Sequence, residues 1–171
     1  MPPLDAILNA PMPAYATEAV WAELKQRFDY AFRPITGGFY GRPVLQDHTI
    51  VAGQTIDVAG IKIRTMDQDH GYTRSLGLRI GNAAYCTDVA RMEPAQLAAL
   101  GGLELLIVDC FSLAKDHPTH AGLPSVLAWV EALRPARTIL THMGPEMDFC
   151  ALAATLPAGV EPGYDGMEII L

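Results

Sequence analysis

Apolar and polar positions along this chain change their period twice. Val20, Trp21, Leu24 and Phe28 recur at helical spacing behind Thr17, a good N-cap, with Glu18 and Glu23 in the early turns. The spacing predicts a helix from 17 to 27 or 28. Ahead of it, Pro2, Pro3, Pro11 and Pro13 leave room for one short turn at most. Residues 29–43, with Gly37, Gly38 and Gly41, read as an exposed connection. From Val44 the period becomes two, which predicts short strands at 49–51, 55–58 and 61–66, with turns at Gly53-Gln54 and Ala59-Gly60. Residues 75–80 alternate, turn at Gly81-Asn82 and return through 83–86 as a hairpin. Pro94 opens a helix carrying Leu97 and Leu100, stopped at Gly101-Gly102. Residues 103–108 form a near-continuous apolar run ending in Asp109, as expected of a strand buried on both faces. An amphipathic helix at 124–133, a buried strand at 138–141, a short helix at 149–156 and a terminal strand at 168–171 complete the chain. Strands first, then strand and helix in alternation, make an α/β layered domain with a mixed sheet.

The 171 residues, half of them hydrophobic, are enough for one domain with a sizeable core. A net charge of -7 disfavours a nucleic-acid partner, because backbone binding needs clustered Lys and Arg. It leaves an anionic small molecule open, since a metal ion can dominate local charge. Cys86, Cys110 and Cys150 are odd in number and form no CxxC, so reduced thiols in a cytoplasmic protein are expected. The opening MPPLDAILNAPMPAY has neither a basic n-region nor a continuous apolar h-region. No apolar run approaches the ~18 residues that span a membrane. The expectation is a soluble cytoplasmic protein with no membrane partner; a homodimer is open.

Three candidate strands, the last of them an apolar run, end in metal-competent side chains. One closes with His70 before Gly71, a second with Asp88, and a third with His142 before Gly144-Pro145. Of five histidines, His70, His117, His120 and His142 stand at element ends or in loops. Imidazole is the commonest nitrogen ligand for zinc and similar metals, and a carboxylate can bridge two ions. A single His at a strand end is more often a hydrogen-bonded surface residue, and Asp88 alone could be a turn or cap residue. The coincidence of three such ends is what points to a metal site at one sheet edge.

Six segments occur in order: Asp69-His70-Gly71, Tyr85-Cys86-Thr87-Asp88, Leu106-Ile107-Val108-Asp109, His117-Pro118-Thr119-His120, Leu140-Thr141-His142-Met143 and Tyr164-Asp165-Gly166-Met167. The set resembles the C-terminal two-thirds of metallo-β-lactamase-fold hydrolases, in the branch of the cyclic-phosphate phosphodiesterase of the carbon–phosphorus lyase pathway. The resemblance runs from about Asn9 to Leu171. It implies a metallo-β-lactamase-like αββα sandwich and a single domain over 1–171. It implies two divalent ions, zinc or manganese, with His70 on the first, His142 on the second and Asp88 bridging both. It implies hydrolysis of a small cyclic phosphate ester by a hydroxide that the two ions activate, with Asp88 and His120 as catalytic residues and His120 as general acid. Asp109 is either a residue that orients a ligand or a cap on the following turn, His117 either helps position His120 or is a solvated loop residue, and Asp165 reads as part of a structural turn.

The family's HxHxDH loop and its first strands are missing from the 171 residues. Residues 4–9 look like the helix that follows that loop, so the chain reads as an incomplete, N-terminally truncated fold. With one His per ion and a shared Asp, partial metal occupancy is expected, because a catalytic zinc has three protein ligands as a rule. Relatives of the phosphodiesterase type often carry a second His three residues after His142; here Pro145 stands there, beside Glu146. Two further readings stay open: a non-catalytic homologue or binding module, and a lactone or thioester hydrolase using the same ions.

Overall fold

The computed structural model describes residues 10–33, 43–114 and 117–170. Its contacts divide the chain into two compact units, Met1–Val51 and Ala52–Leu171.

In the first unit, β1 (Met12–Ala16) pairs in parallel with β2 (Leu45–Thr49), and α1 (Glu18–Arg27) joins them with a 3-10 turn at Asp29–Ala31. The Thr17 side chain caps α1 by accepting from the Val20 N–H, as the sequence predicts. Trp21 is buried and its indole N–H donates to the His48 carbonyl. β1 corrects the expectation of one short turn before the helix. Pro13 is tolerated because this is a two-stranded ribbon, where a missing N–H can face away from the ladder. β2 ends at Thr49, so the strand expected at 49–51 lies earlier; Ile50 is buried beyond it. The helix expected at 4–9 and the glycines at 37, 38 and 41 lie outside the described residues.

The second unit is a seven-stranded sheet in the order β3-β4-β5-β6-β7-β8-β9. β3 (Thr55–Val58), β4 (Ile61–His70), β5 (Thr73–Ile80) and β6 (Ala83–Cys86) form an antiparallel meander. From β6 onward, β7 (Leu105–Asp109), β8 (Arg137–Thr141) and β9 (Val160–Pro162) add in parallel. The parallel steps need crossovers, supplied by α2 (Pro94–Ala99), α3 (Leu123–Leu133) and α4 (Phe149–Thr155). Leu106, Val108 and Leu140 are fully buried, which explains the uninterrupted apolar runs of β7 and β8. Val126 and Trp129 of α3 and Leu152 of α4 join the same core.

Among the described residues, 168–170 of the strand expected at 168–171 form none. The last strand is Val160–Pro162, and Ile170 is 94% exposed. Hydrogen bonding to β8 selects 160–162, whereas the apolar residues at 169–170 have no strand beside them among the described residues. Among those residues no helix is long and apolar enough to cross a membrane.

Strand direction sets up the site. β4 and β6 each lie antiparallel to β5, so both point the same way, and β7, β8 and β9 follow β6. The carboxyl ends of β4, β6, β7 and β8 therefore reach one edge. That edge is where ligands bind in sheets of this kind.

Candidate metal centre

Each of these four strands delivers one side chain to the edge. His70 ends β4, Asp88 follows β6 by two residues, Asp109 ends β7, and His142 follows β8 directly. Asp88 and His142 both take left-handed backbone conformations, with φ of 54° and 57°. Asp and His tolerate this region better than most residues, but it still costs free energy, and such strain gathers at functional positions. Here it turns the chain sharply at the strand end.

Asp88 lies between the two imidazoles. Its Oδ1 is 3.9 Å from His70 Nε2 and 3.4 Å from His142 Nδ1. Its backbone is held from behind. Gln68 donates from Nε2 to the Thr87 carbonyl at 2.8 Å and to Ser75 Oγ at 3.0 Å, and Ser75 Oγ donates to the Asp88 carbonyl at 2.7 Å. Gly77 makes room for this arrangement, because a Cβ there would lie 2.5 Å from Gln68 Oε1. Asp69, next to His70, faces elsewhere. The Gly71 N–H and then the Arg91 guanidinium hold its carboxyl below the usual range, and the bond to Arg91 ties β4 to the segment after Asp88.

His70 Nδ1 lies 2.7 Å from the Thr119 carbonyl. A carbonyl can only accept, so Nδ1 carries the proton and Nε2 presents its lone pair toward Asp88. This is the second-nitrogen contact that metal-bound histidines make.

The buried Asp109 and the half-buried His120 form a pair. His120 Nδ1 donates to Asp109 Oδ2 at 2.7 Å, and the same oxygen accepts the Val89 N–H at 3.1 Å. Asp109 is fully buried, and its Oδ1 has no hydrogen-bond partner in the structure. Burial pushes its carboxyl pKa up, against the His120 hydrogen bond, which pulls it down. His120 packs at ring-centroid distances of 4.9 Å from His70 and 4.4 Å from His142. Phe111, two residues past β7, stacks on His120 at 5.1 Å and meets His142 edge-on at 6.1 Å. His117 also lies against Phe111, at 4.5 Å, and is placed in the turn that leads to His120.

The donors fit a divalent ion. Ligands ~2.1 Å from a tetrahedral ion are ~3.4 Å apart, the distance between His142 Nδ1 and Asp88 Oδ1. Ligand-type atoms of Asp88, Asp109, His120 and His142 all lie within 4.8 Å of one another. Two of these four, Asp109 and His120, already bond each other. That bond uses Asp109 Oδ2 and His120 Nδ1 and leaves His120 Nε2 facing the site, beside the donors of Asp88, His142 and His70. Cys86 and Cys110 are close in sequence but fully buried, and burial pushes both thiols up to about 12, far from thiolate formation.

The structure thus brings together all six residues singled out from the sequence: His70, Asp88, Asp109, His117, His120 and His142. Sequence reasoning missed Gln68, Ser75, Phe111 and the Thr119 carbonyl. Phe111 had a weak signal, an aromatic just beyond a buried strand; a backbone carbonyl has none.

Residues 1–143 match the β-lactamase superfamily domain. A diphosphatase from the PhnP family superposes with a TM-score of 0.82 at 30% identity, over 92% of this chain and 57% of that one. The zinc-bound PqqB from Methylobacterium extorquens shares the fold, with a TM-score of 0.66 at 18% identity, over 94% of this chain and 63% of that one. An octanoyltransferase of Porphyromonas gingivalis is 24% identical over 158 residues, which are 92% of this chain and 32% of that protein. The chain thus spans little more than half of the diphosphatase and about a third of the octanoyltransferase.

Proposed function

Because the chain belongs to the β-lactamase superfamily, we propose that it is a metal-dependent hydrolase whose substrate is a small phosphate ester, with a cyclic phosphodiester as the favoured form. The observation that carries this reading is the convergence of His70 Nε2, the Asp88 carboxylate and His142, with His70 locked by the Thr119 carbonyl in the tautomer that a metal ligand needs. His70, Asp88 and His142 would hold the metal, zinc or manganese, with the Asp88 carboxylate shared between the two histidines' sides of the site. Bound divalent ions supply an acidified water and neutralise charge on phosphoryl oxygens.

The remaining steps belong to the chain's own groups. His120 keeps Nδ1 engaged by Asp109 and so turns Nε2 away from it. With Nδ1 held by Asp109, Nε2 is the ring atom left to hand a proton to a departing alkoxide. Phe111 covers one face of His120 and limits water on that side. The acidic chain, with a net charge of -7, suits a small metabolite rather than a polynucleotide.

The diphosphatase neighbour favours one variant of this reading, cleavage of a diphosphate; both reactions are attack at phosphorus. The test is an assay of protein loaded with zinc or manganese on a cyclic phosphodiester, a linear phosphodiester, a diphosphate, a lactone and a thioester. Metal-dependent turnover is expected on phosphorus substrates, highest on the cyclic ester. Turnover confined to the lactone or thioester would replace the proposal with carbonyl hydrolysis. No metal-dependent turnover on any would favour a binding role.

A further inference from the structure

We propose that His117 is a positioning residue that holds both sides of the site at once, by serving as the acceptor of a tight turn. Its Nδ1 accepts the N–H of Thr119 at 3.3 Å and of His120 at 3.1 Å. An Asn or Asp side-chain oxygen does this work in an Asx turn; here an imidazole nitrogen does it. An Nδ1 that accepts carries no proton, so His117 is the Nε2–H tautomer, opposite to His70.

The turn it orders has two outputs. Thr119 aims its carbonyl at His70 Nδ1, 2.7 Å away, and the next residue, His120, bonds Asp109 at 2.7 Å. One acceptor atom therefore sets the tautomer of His70 at the end of β4 and the placement of His120 against the end of β7. Phe111 backs the arrangement by packing on both His117 and His120. Gly71 shows how tightly the turn is seated. A Cβ at Gly71 would lie 2.3 Å from the Pro118 carbonyl oxygen and 3.1 Å from Thr119 Cγ2, and its φ of 73° disfavours side chains anyway. Any larger residue after His70 would lift the Thr119 carbonyl off the imidazole.

The consequence for catalysis rests on the proposed roles of His70 and His120; the tautomer claim does not. The test follows the histidine ring nitrogens of the full chain by long-range proton–nitrogen NMR, alongside zinc affinity by competition with a chromophoric chelator. In the parent protein His70 is expected as a fixed Nδ1–H form and His117 as Nε2–H. His117→Ala should release the His70 tautomer and lower zinc affinity about 10–100-fold, the usual effect of losing a partner that orients a ligand. His117→Asn supplies an oxygen acceptor where Nδ1 stood and should restore both. His117→Gln, with its oxygen one methylene too far, should not, and it carries the comparison if the alanine variant does not fold. An unchanged His70 tautomer in folded His117→Ala or His117→Gln would overturn the proposal, as would failure of folded His117→Asn to restore it. If the tautomers follow the series while the parent binds no zinc, the metal reading fails and the positioning role stands.

Discussion

Asp88→Asn is expected to empty the metal site and to abolish hydrolysis, while leaving the fold intact. Asparagine keeps the size of Asp88 and tolerates its φ of 54°. The backbone on either side stays held through Gln68 and Ser75, which bond the Thr87 and Asp88 carbonyls rather than the Asp88 side chain. What the substitution removes is the carboxylate that lies between His70 and His142. Two neutral imidazoles are a poor set for a catalytic ion, which takes three protein ligands as a rule. The loss of rate should exceed the about 10²–10⁴-fold that a missing proton donor causes, because it removes the whole metal contribution. Elemental analysis and thermal melting check this together: metal should fall away while the melting temperature of the metal-free protein stays near the parent value. Full metal content in Asp88→Asn would show that the ion sits elsewhere.

His120→Ala is expected to slow turnover about 10²–10⁴-fold with metal content unchanged. The reasoning is that His120 spends Nδ1 on Asp109 and offers only Nε2 to the site. Its partner can be separated by a second variant. Asp109→Ala should slow turnover comparably, and it should also destabilise the protein, because the buried N–H of Val89 and the ring N–H of His120 lose their acceptor. Each buried donor left unsatisfied costs about 1–3 kcal/mol. The measurements are steady-state kinetics, metal content and denaturant melts of both variants. Loss of metal in His120→Ala would instead make His120 a ligand, which its place among four donors within 4.8 Å of one another makes a concrete alternative.

The edge that carries this chemistry was legible because the apolar runs of β7 and β8 end abruptly in a polar residue, and because β4 and β6 are each closed by a metal-competent side chain at or just past their ends. His70, Asp88, Asp109 and His142 each stand at such an end, and parallel direction brings the ends together without any further information. Pairing was harder to read. β1 finds its partner more than 30 residues away, and its prolines argue locally against a strand; register Met12 with Leu45 is settled by tertiary contact. β9 has three residues between Gly159 and Gly163, too few to show a period, and exists because β8 offers an open ladder. Conversely, Glu168-Ile169-Ile170 is apolar enough to suggest a strand and lies beside none among the described residues. The supports of the site were invisible for a different reason. Gln68 and Ser75 act on backbone carbonyls, and Thr119 acts through its own, so residue type says little about what they do.

The central claim is that His70, Asp88 and His142 hold a divalent ion, and zinc-edge X-ray absorption on the zinc-loaded protein tests it most directly. The account predicts a first shell of nitrogen and oxygen at about 2.0–2.2 Å with the multiple-scattering signature of imidazole, reduced in His70→Ala and in His142→Ala. A sulfur shell at about 2.3 Å, or an imidazole signal that neither substitution changes, would contradict it.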